Sequence, residues 1–411
     1  MKFEIGNLEP GTLNQNLKVL YLPRWYPNRY DPMQGLFIER HARSVSGHVD
    51  VAVLYVHQDD RLVKERMEFE RLRDDELLQL KIYYKPYRFS VPVIKPLINF
   101  CRYLRYHYRG LKMIKKEFGR PDLIHVNVLT RLGMVALFYK WMSGTPYVIT
   151  EHWTRYLPQM DNYKGAFRRV ITRLVVRKAS AVMPVTENLR KAMESHGLRN
   201  RNYLVIPNVV DMEIFDIREG ISGRAKKSFI HVSCFEDKQK NISGILRVLK
   251  RLSEQRTDWV CHMVGEGIHL NDLVNFAKVL SIEGKFVIFH GLKENEELAK
   301  LMAEADFQVM FSRFENLPVV ILESFACGVP VLSTDVGGIS EHINNELGLL
   351  IFSEDEDKLL EKISLMLDNH EKYDKIKIRE YAKSHFSKEV IGSRLFEVYT
   401  SIIPNSKITT N

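Results

Sequence analysis

The 411-residue sequence predicts an α/β protein made of two successive doubly wound, Rossmann-like domains facing each other across a cleft. Three observations carry this. Short apolar runs alternate with helix-length segments along the chain. The runs are nearly continuous in Val, Ile, Leu and aromatic residues, as in parallel strands covered on both faces. They fall into two sets, separated at 208–228 by "NVVDMEIFDIREGISGRAKKS", where hydrophobic density drops and charge and Gly enter. The expected units are a first domain over 1–210, a second over 211–385, and a C-terminal helix and tail over 386–411 that returns to the first domain.

The expected strands of the first set are "KVLYLP" (18–23), "VDVAVLYV" (49–56), "DLIHVNV" (122–128), "YVITEH" (147–152), "AVMPVT" (181–186) and "YLVIPN" (203–208). Those of the second are "FIHVSCF" (229–235), "WVCHMVGEG" (259–267), "FVIFHG" (286–291), "FQVMFS" (307–312), "VPVLSTD" (329–335) and "GLLI" (348–351). Helix patterns such as "NISGILRVLKRLSEQ" and "NEELAKLMAEAD" fill the gaps. Ligands of doubly wound sheets bind at the carboxyl ends of strands, and the unusual residues sit there. Gly35 lies in a loop entering a helix, where a backbone N–H can approach a phosphate. The fourth strand ends by exposing Glu151 and His152. Lys240 stands at a helix start after the first strand of the second set, and the next strand ends in Gly265, Glu266 and Gly267. A later strand leads into Glu315, and another ends at Gly337 and Gly338.

Glu323 is out of place in the core-like stretch "VVILESFACGVPV". "PVVILESFACG" reads as a short helix, with Pro318 in its first turn and Gly328 just past its end. A lone carboxylate there is costly unless hydrogen-bonded. Glu315 lies just before the same helix, near its positive end. A helix start suits phosphate and carboxylates suit sugar hydroxyls, so the pair fits a nucleotide-sugar. The competing account is a Glu paired with a Lys or Arg of a neighbouring element.

Charge is split between the halves. Residues 1–210 hold 35 Lys+Arg against 19 Asp+Glu, a balance of +16, and 211–411 hold 25 against 32, a balance of −7, which together give the +9 of the chain. The basic excess gathers in 95–120 and 167–178, interleaved with Tyr, Phe and Leu, a pattern that fits an anionic membrane surface. On a helix, Arg102, Arg105, Arg109, Lys112 and Lys116 share a face, with Tyr103, Tyr106 and Met113 on flanking faces at headgroup level. A solvated helix with an aromatic core stripe is the alternative. No nucleic-acid motif is present, and no run is long enough to span a bilayer. The opening residues do not read as a signal peptide, and Cys101, Cys234, Cys261 and Cys327 are scattered as buried thiols of a reducing cytoplasm. The expected location is therefore cytoplasmic, with peripheral contact at the inner face of the plasma membrane.

The ordered set "QGLFIERHA", "ITEHW", "IPNVVD", "VGEG", Glu315-x7-Glu323, "ACGVPV" and "GGISEH" resembles the retaining glycosyltransferases of the GT-B fold, family 4 (glycosyl transferases group 1). The resemblance is strongest over 228–351 and weaker over 60–115. It implies a nucleotide-sugar site in the second domain and an acceptor site in the first. Glu323 would bind ribose hydroxyls, Glu315 hydroxyls of the transferred sugar, and Lys240 the diphosphate. His152 would help to place the sugar, and Gly35 would offer its N–H to the diphosphate. Gly265, Glu266, Gly267, Asn316, Leu317, Pro318, Val319, Gly337 and Gly338 complete the implied donor site. One departure concerns the diphosphate clamp. The family's Arg six residues before the Lys is Cys234 here, with Lys238, Arg313 or Arg24 as candidate substitutes, or the helix start near Val319.

The implied reaction moves a sugar from a UDP- or GDP-sugar to a glycan or lipid-linked acceptor in surface polysaccharide biosynthesis. It needs no cofactor beyond the donor and no metal, since there is no D-x-D in a suitable loop and no His/Asp/Glu ligand set. Rival readings are a GT-B sugar-nucleotide epimerase or phosphorylase, a dinucleotide-dependent enzyme, and a non-catalytic scaffold on a membrane surface. "VGEGIHL" lacks the third Gly of a dinucleotide fingerprint, which disfavours the second of these.

Overall fold

The computed structural model describes residues 17–61, 66–87, 94–160, 163–218 and 226–403. Part of the boundary stretch and the last residues of the tail lie outside them. The first sheet holds β1 (Lys18–Pro23), β2 (Asp50–Gln58), β3 (Met67–Arg73), β4 (Leu77–Tyr84), β5 (Leu123–Asn127), β6 (Tyr147–Glu151) and β7 (Ala181–Pro184). Their order is β3-β4-β2-β1-β5-β6-β7. Helices α1 (Leu36–Val45), α2 (Ile94–Glu117), α3 (Thr130–Ser143), α4 (Ala166–Lys178) and α5 (Glu187–Ser195) connect them. Every pairing is parallel except β3 with β4.

The second sheet holds β8 (Lys227–Val232), β9 (Trp259–Val264), β10 (Val287–Phe289), β11 (Phe307–Val309), β12 (Val331–Thr334) and β13 (Gly348–Ile351). Its order is β10-β9-β8-β11-β12-β13, all parallel. Its helices are α6 (Asp237–Lys240), α7 (Ile242–Gln255), α8 (Leu270–Val279), α9 (Asn295–Ala303), α10 (Val319–Ala326), α11 (Glu356–Asn369) and α12 (Lys375–Phe386). Both strand orders reverse beside the first strand of the sheet, which opens a crevice at the carboxyl ends of β1 and β8.

The last helix, α13 (Lys388–Ile402), packs on α1 and shares a core with the first sheet. Its Tyr399 hydroxyl lies 2.8 Å from that of Tyr21 and 2.7 Å from His125 Nδ1. The crossing is tied at its base. Val210 N–H donates to Phe386 C=O at 2.9 Å, and the Arg379 guanidinium donates to the carbonyls of Met212, Phe215 and Ala326.

Three expectations are corrected. The sheet gains β3 and β4 from "MEFERLR" and "LLQLKIYY". β3 is an edge strand with its charges outward, as edge protection demands, so no apolar run advertises it. "YLVIPN" is not a strand: it runs beside β7, with Leu204 N–H donating to Val182 C=O and Ile206 N–H to Pro184 C=O, and Pro207 has no N–H to continue. On α2, Arg105, Arg109, Lys112 and Lys116 are exposed, but the flanking aromatics turn inward. Tyr106 is buried and stacks on Tyr84 at 4.6 Å, while Tyr103 and Met113 pack on the core. The exposed apolar residues of these helices include instead Ile94, Leu97 and Tyr108 of α2, Phe138, Trp141 and Met142 of α3, and Phe167 and Val170 of α4. Among the described residues no helix is long and apolar enough to cross a membrane.

Candidate active site

His152 follows β6 and is buried between Phe37 and His41 of α1, with ring centroids 4.7 and 5.4 Å away. Its tautomer is fixed from the other domain. Asn208 Nδ2 donates to Leu317 C=O at 3.1 Å, so Asn208 Oδ1 is the acceptor facing His152 Nδ1 at 3.1 Å. Nδ1 therefore carries the proton, and Nε2 is a buried lone-pair acceptor with no hydrogen-bond partner among the described residues. Burial, reinforced by the neighbouring His41, holds the imidazole pKa well below its ordinary value, so the ring is neutral at pH 7.

Glu151 does not face the crevice as expected. It is fully buried and accepts the backbone N–H groups of Leu129, His152 and Trp153 at 3.0, 3.0 and 2.9 Å. Burial pushes its pKa up to about 7 against the pull of those bonds. It shapes the loop that carries His152.

Lys240 is buried at the end of α6, one residue before Asn241, which takes φ 50° to start α7. Its Nζ pairs with Glu315 Oε1 at 2.5 Å, and Gln239 Nε2 donates to Glu315 Oε2 at 3.3 Å. Burial alone lowers the ammonium pKa; the Glu315 charge, helped by Cys234, more than reverses this, and the net direction is upward. Gly337, at φ 64°, lets the loop after β12 press on this carboxylate's backbone, since a Cβ there would lie 2.0 Å from Glu315 O.

The "ENLP" turn that leads into α10 is the seam between domains. Asn316 Nδ2 donates to His152 C=O at 3.1 Å, and Asn316 Oδ1 accepts from Thr186 Oγ1 at 2.8 Å. Leu317 is buried, Pro318 caps α10 and Val319 begins it. Nearby, the Glu341 carboxylate accepts the N–H groups of Glu187 and Asn188 at the start of α5, at 2.8 and 2.7 Å. Glu323 lies inside α10, buried, and its Oε1 accepts from Arg40 Nη1 of α1 at 2.7 Å. The partner is thus a cation of the facing domain, with side-chain exposure of 13% for Arg40 and 7% for Glu323.

Gly35 is the N-cap of α1 at φ 72°, and a Cβ there would lie 2.4 Å from the Trp25 carbonyl. Gly265, Glu266 and Gly267 form the turn after β9, where Glu266 C=O receives Phe235 N–H at 2.8 Å. Gly338 meets the first domain, since its Cβ would fall 2.2 Å from Thr186 Cγ2. Of the cations considered for the missing Arg, Arg313 is engaged elsewhere. Its guanidinium donates to Asp237 C=O and Asn241 Oδ1, both at 2.7 Å, and pairs with Glu354, so it braces the Lys240 turn. Arg24 belongs to the first domain, 4.4 Å over the Trp153 ring. Lys238 is exposed on α6, and Cys234, like Cys101, is exposed, not the buried thiol expected; only Cys261 and Cys327 are buried. Among the described residues no group of three or more His, Cys, Asp or Glu stands together as a metal would require.

Arg40, Asn208 and Thr186 were not singled out from sequence. Arg40 and Asn208 lie inside the quoted motifs "QGLFIERHA" and "IPNVVD", so the signal was present without the partner that explains it.

Comparison with known proteins fits this geometry. The family model for glycosyl transferases group 1 matches residues 216–385, and that of the glycosyl transferase 4-like domain matches 40–209. The N-acetyl-alpha-D-glucosaminyl L-malate synthase of Bacillus anthracis is 26% identical over 306 residues, covering 70% of this chain and 76% of its own. The N-acetylgalactosamine-N,N'-diacetylbacillosaminyl-diphospho-undecaprenol 4-alpha-N-acetylgalactosaminyltransferase of Campylobacter jejuni is 27% identical over 286 residues, covering 68% and 76%. The sucrose-phosphate synthase structure from Thermosynechococcus elongatus superposes with a TM-score of 0.72 at 16% identity, covering 94% of this chain and 99% of that one. The two family matches adjoin and account for most of the chain, which belongs to the group 1 glycosyl transferases and is a glycosyltransferase of the GT-B fold, family 4.

Proposed function

We propose that the enzyme is a retaining, metal-independent transferase that moves a sugar from a UDP- or GDP-sugar to a glycan or lipid-linked acceptor in surface polysaccharide biosynthesis. One observation carries the reading: Lys240, Glu315 and the start of α10 lie on one side of a seam whose other side is the neutral His152. An incoming diphosphate competes with Glu315 for Lys240. The Glu315 carboxylate is then released to accept sugar hydroxyls, and His152 Nε2 is a ready acceptor for another. Glu323 keeps one oxygen on Arg40 and turns the other to the ribose.

As the sugar–phosphate bond breaks, charge grows on the leaving diphosphate, and Lys240 with the α10 N-terminus answers it. The acceptor oxygen bonds the anomeric carbon on the face the diphosphate leaves, and its proton passes to the departing phosphate. No carboxylate is assigned as a nucleophile. Lys240, Lys238 and the helix start supply the charge that a metal supplies elsewhere, and no cofactor is required. Incubation with radiolabelled nucleotide-sugars tests the reading. Label on a separate acceptor, with the anomeric configuration kept and undiminished in EDTA, supports it; label that only changes sugar identity, or that moves solely onto phosphate, points to the epimerase or phosphorylase.

The location is proposed as cytoplasmic, with peripheral contact on an anionic membrane. The exposed cations of α2 and the exposed Phe138, Trp141, Phe167 and Val170 support it, and each basic residue near such a surface contributes about 1 kcal/mol. Vesicle co-sedimentation at low and high salt tests this. No binding to anionic vesicles at low salt sinks it.

A further inference from the structure

A cavity of about 710 Å³ lies in the first domain, at the carboxyl ends of β1 and β2 and the N-terminal halves of α3 and α4. Four arginines line it: Arg24, Arg131, Arg155 and Arg168. No Asp or Glu does, among the described residues. Arg24 and Arg155 stand over the same Trp153 ring, at 4.4 and 3.4 Å from its centroid. Arg131 and Arg168 have no hydrogen bond or ion pair to their guanidinium groups among the described residues. Burial, with Arg168 and Arg24 nearby, lowers the Arg155 pKa, so these like charges feel one another. Glu151 is the near carboxylate, and its raised pKa and three backbone bonds leave it a weak counter-charge. Guanidinium groups gathered around a void without carboxylates suit a multiply charged, phosphate-like anion.

A second cavity continues the first. It measures about 260 Å³, runs between α2 and α3, and shares Phe100 and Met134 with the arginine cavity. Leu104, Leu111, Val135 and Phe138 make its walls, with Tyr108 and Met142 at the surface. The groove is almost wholly apolar, so its occupant is an apolar chain. The shared Phe100 and Met134 let one molecule reach from the arginines into the groove.

We propose that the two cavities together hold a lipid-linked diphosphate acceptor: Arg24, Arg131, Arg155 and Arg168 clamp its diphosphate, and its hydrocarbon chain lies in the α2–α3 groove. This rests on the transferase reading and narrows its acceptor from a glycan of either kind to one carried on a lipid diphosphate. Trp153, which carries two of the arginines, follows His152 directly, so the clamped diphosphate sets the attached sugar beside the transfer site.

The test uses the full-length protein and three probes below their micelle concentrations: geranylgeranyl diphosphate, geranylgeraniol and inorganic pyrophosphate. Binding is followed by calorimetry and by quenching of Trp25 and Trp153 fluorescence. The diphosphate lipid binds at least tenfold tighter than either part. Arg131→Glu with Arg168→Glu weakens it at least tenfold, and so, independently, does Phe138→Asp with Met142→Asp. Both variants keep wild-type melting temperature and nucleoside diphosphate affinity. Pyrophosphate binding as tightly as the lipid diphosphate, geranylgeraniol doing so, or variant effects below twofold in folded protein each overturns the proposal. Failure of the transferase reading looks different: no sugar moves to any acceptor and no nucleoside diphosphate binds, whatever the lipid probes do.

Discussion

The surroundings of α10 and the first-domain cavity of this enzyme treat charge in opposite ways. Around α10 the ionic and polar groups are paired: Lys240 with Glu315, Arg40 with Glu323, Asn316 with His152 and Thr186. Around the first-domain cavity, arginines gather with no carboxylate among the described residues that line it. The difference teaches how each side waits for its ligand. Paired groups are held in position at little net cost, and the ligand must displace a partner. Like charges gathered at one cavity keep an unfavourable field that an anion relieves on arrival.

Lys240→Ala breaks the comparison hardest. It leaves Glu315 buried without its cation, which costs about 3–5 kcal/mol of stability. In the folded fraction, kcat falls by on the order of a hundredfold or more while KM for the donor changes less, because the charge Lys240 answers grows in the transition state. Urea unfolding with initial-rate kinetics checks both. Wild-type turnover would remove Lys240 from the chemistry and point to Lys238.

Acidification weakens the fold next, in both domains. His41, His107 and His231 are buried with pKa values pushed down to about 4, and His152 lies lower than its ordinary value for the same reason. For His41, His107 and His231 the unfolded chain binds a proton that the folded chain refuses between about pH 6.5 and 4, and His152 acts in the same direction, so stability falls as pH falls through that window. Each histidine contributes up to about 1.4 kcal/mol per pH unit. Glu151 opposes with a single proton, since its folded pKa near 7 lies above the unfolded value and the folded state gains as pH drops. Urea midpoints from pH 7 to 5 should therefore fall, and a rising trend would show that these histidines are charged in the fold.

Glu323→Gln has a smaller effect, because the amide oxygen still accepts from Arg40. It lowers nucleotide-sugar affinity by about 1.5–3 kcal/mol, the range for hydrogen bonds to a charged acceptor. Calorimetry with the nucleoside diphosphate reads it. A protein that unfolds while its folded fraction binds normally would show that the Arg40 pair is purely structural. Arg131→Ala should be smallest in stability, within about 0.5 kcal/mol, because an exposed cation without partners leaves nothing unpaired. A loss above that on thermal denaturation would mean that the arginine cluster holds the domain together.

The two sheets, their order of appearance and most strands were legible because parallel strands covered on both faces must be nearly continuous in apolar residues. β3 escaped because an edge strand hides behind charge, and the inward turn of Tyr106 escaped because three-and-four spacing fixes which residues share a face, not which face is buried. Glu323 was legible as a carboxylate too costly to be idle. That its partner is Arg40, 283 positions away, was not.

By itself the sequence determined the family, through an ordered set of motifs whose spacing is local: Glu315 to Glu323 on and before one helix, and Gly337 in one turn. Only the tertiary structure decided what crosses between domains and what gathers in space. The tautomer of His152 comes from Leu317 through Asn208, and the removal of Arg313 from the list of free cations comes from Asp237 and Asn241. The convergence of Arg24, Arg131, Arg155 and Arg168 comes from four separate loops and helix starts. The physical reason is the same in each case. Backbone propensity and hydrophobic period act over a few residues, whereas electrostatics and hydrogen bonding act between groups that the chain brings together only when it has folded.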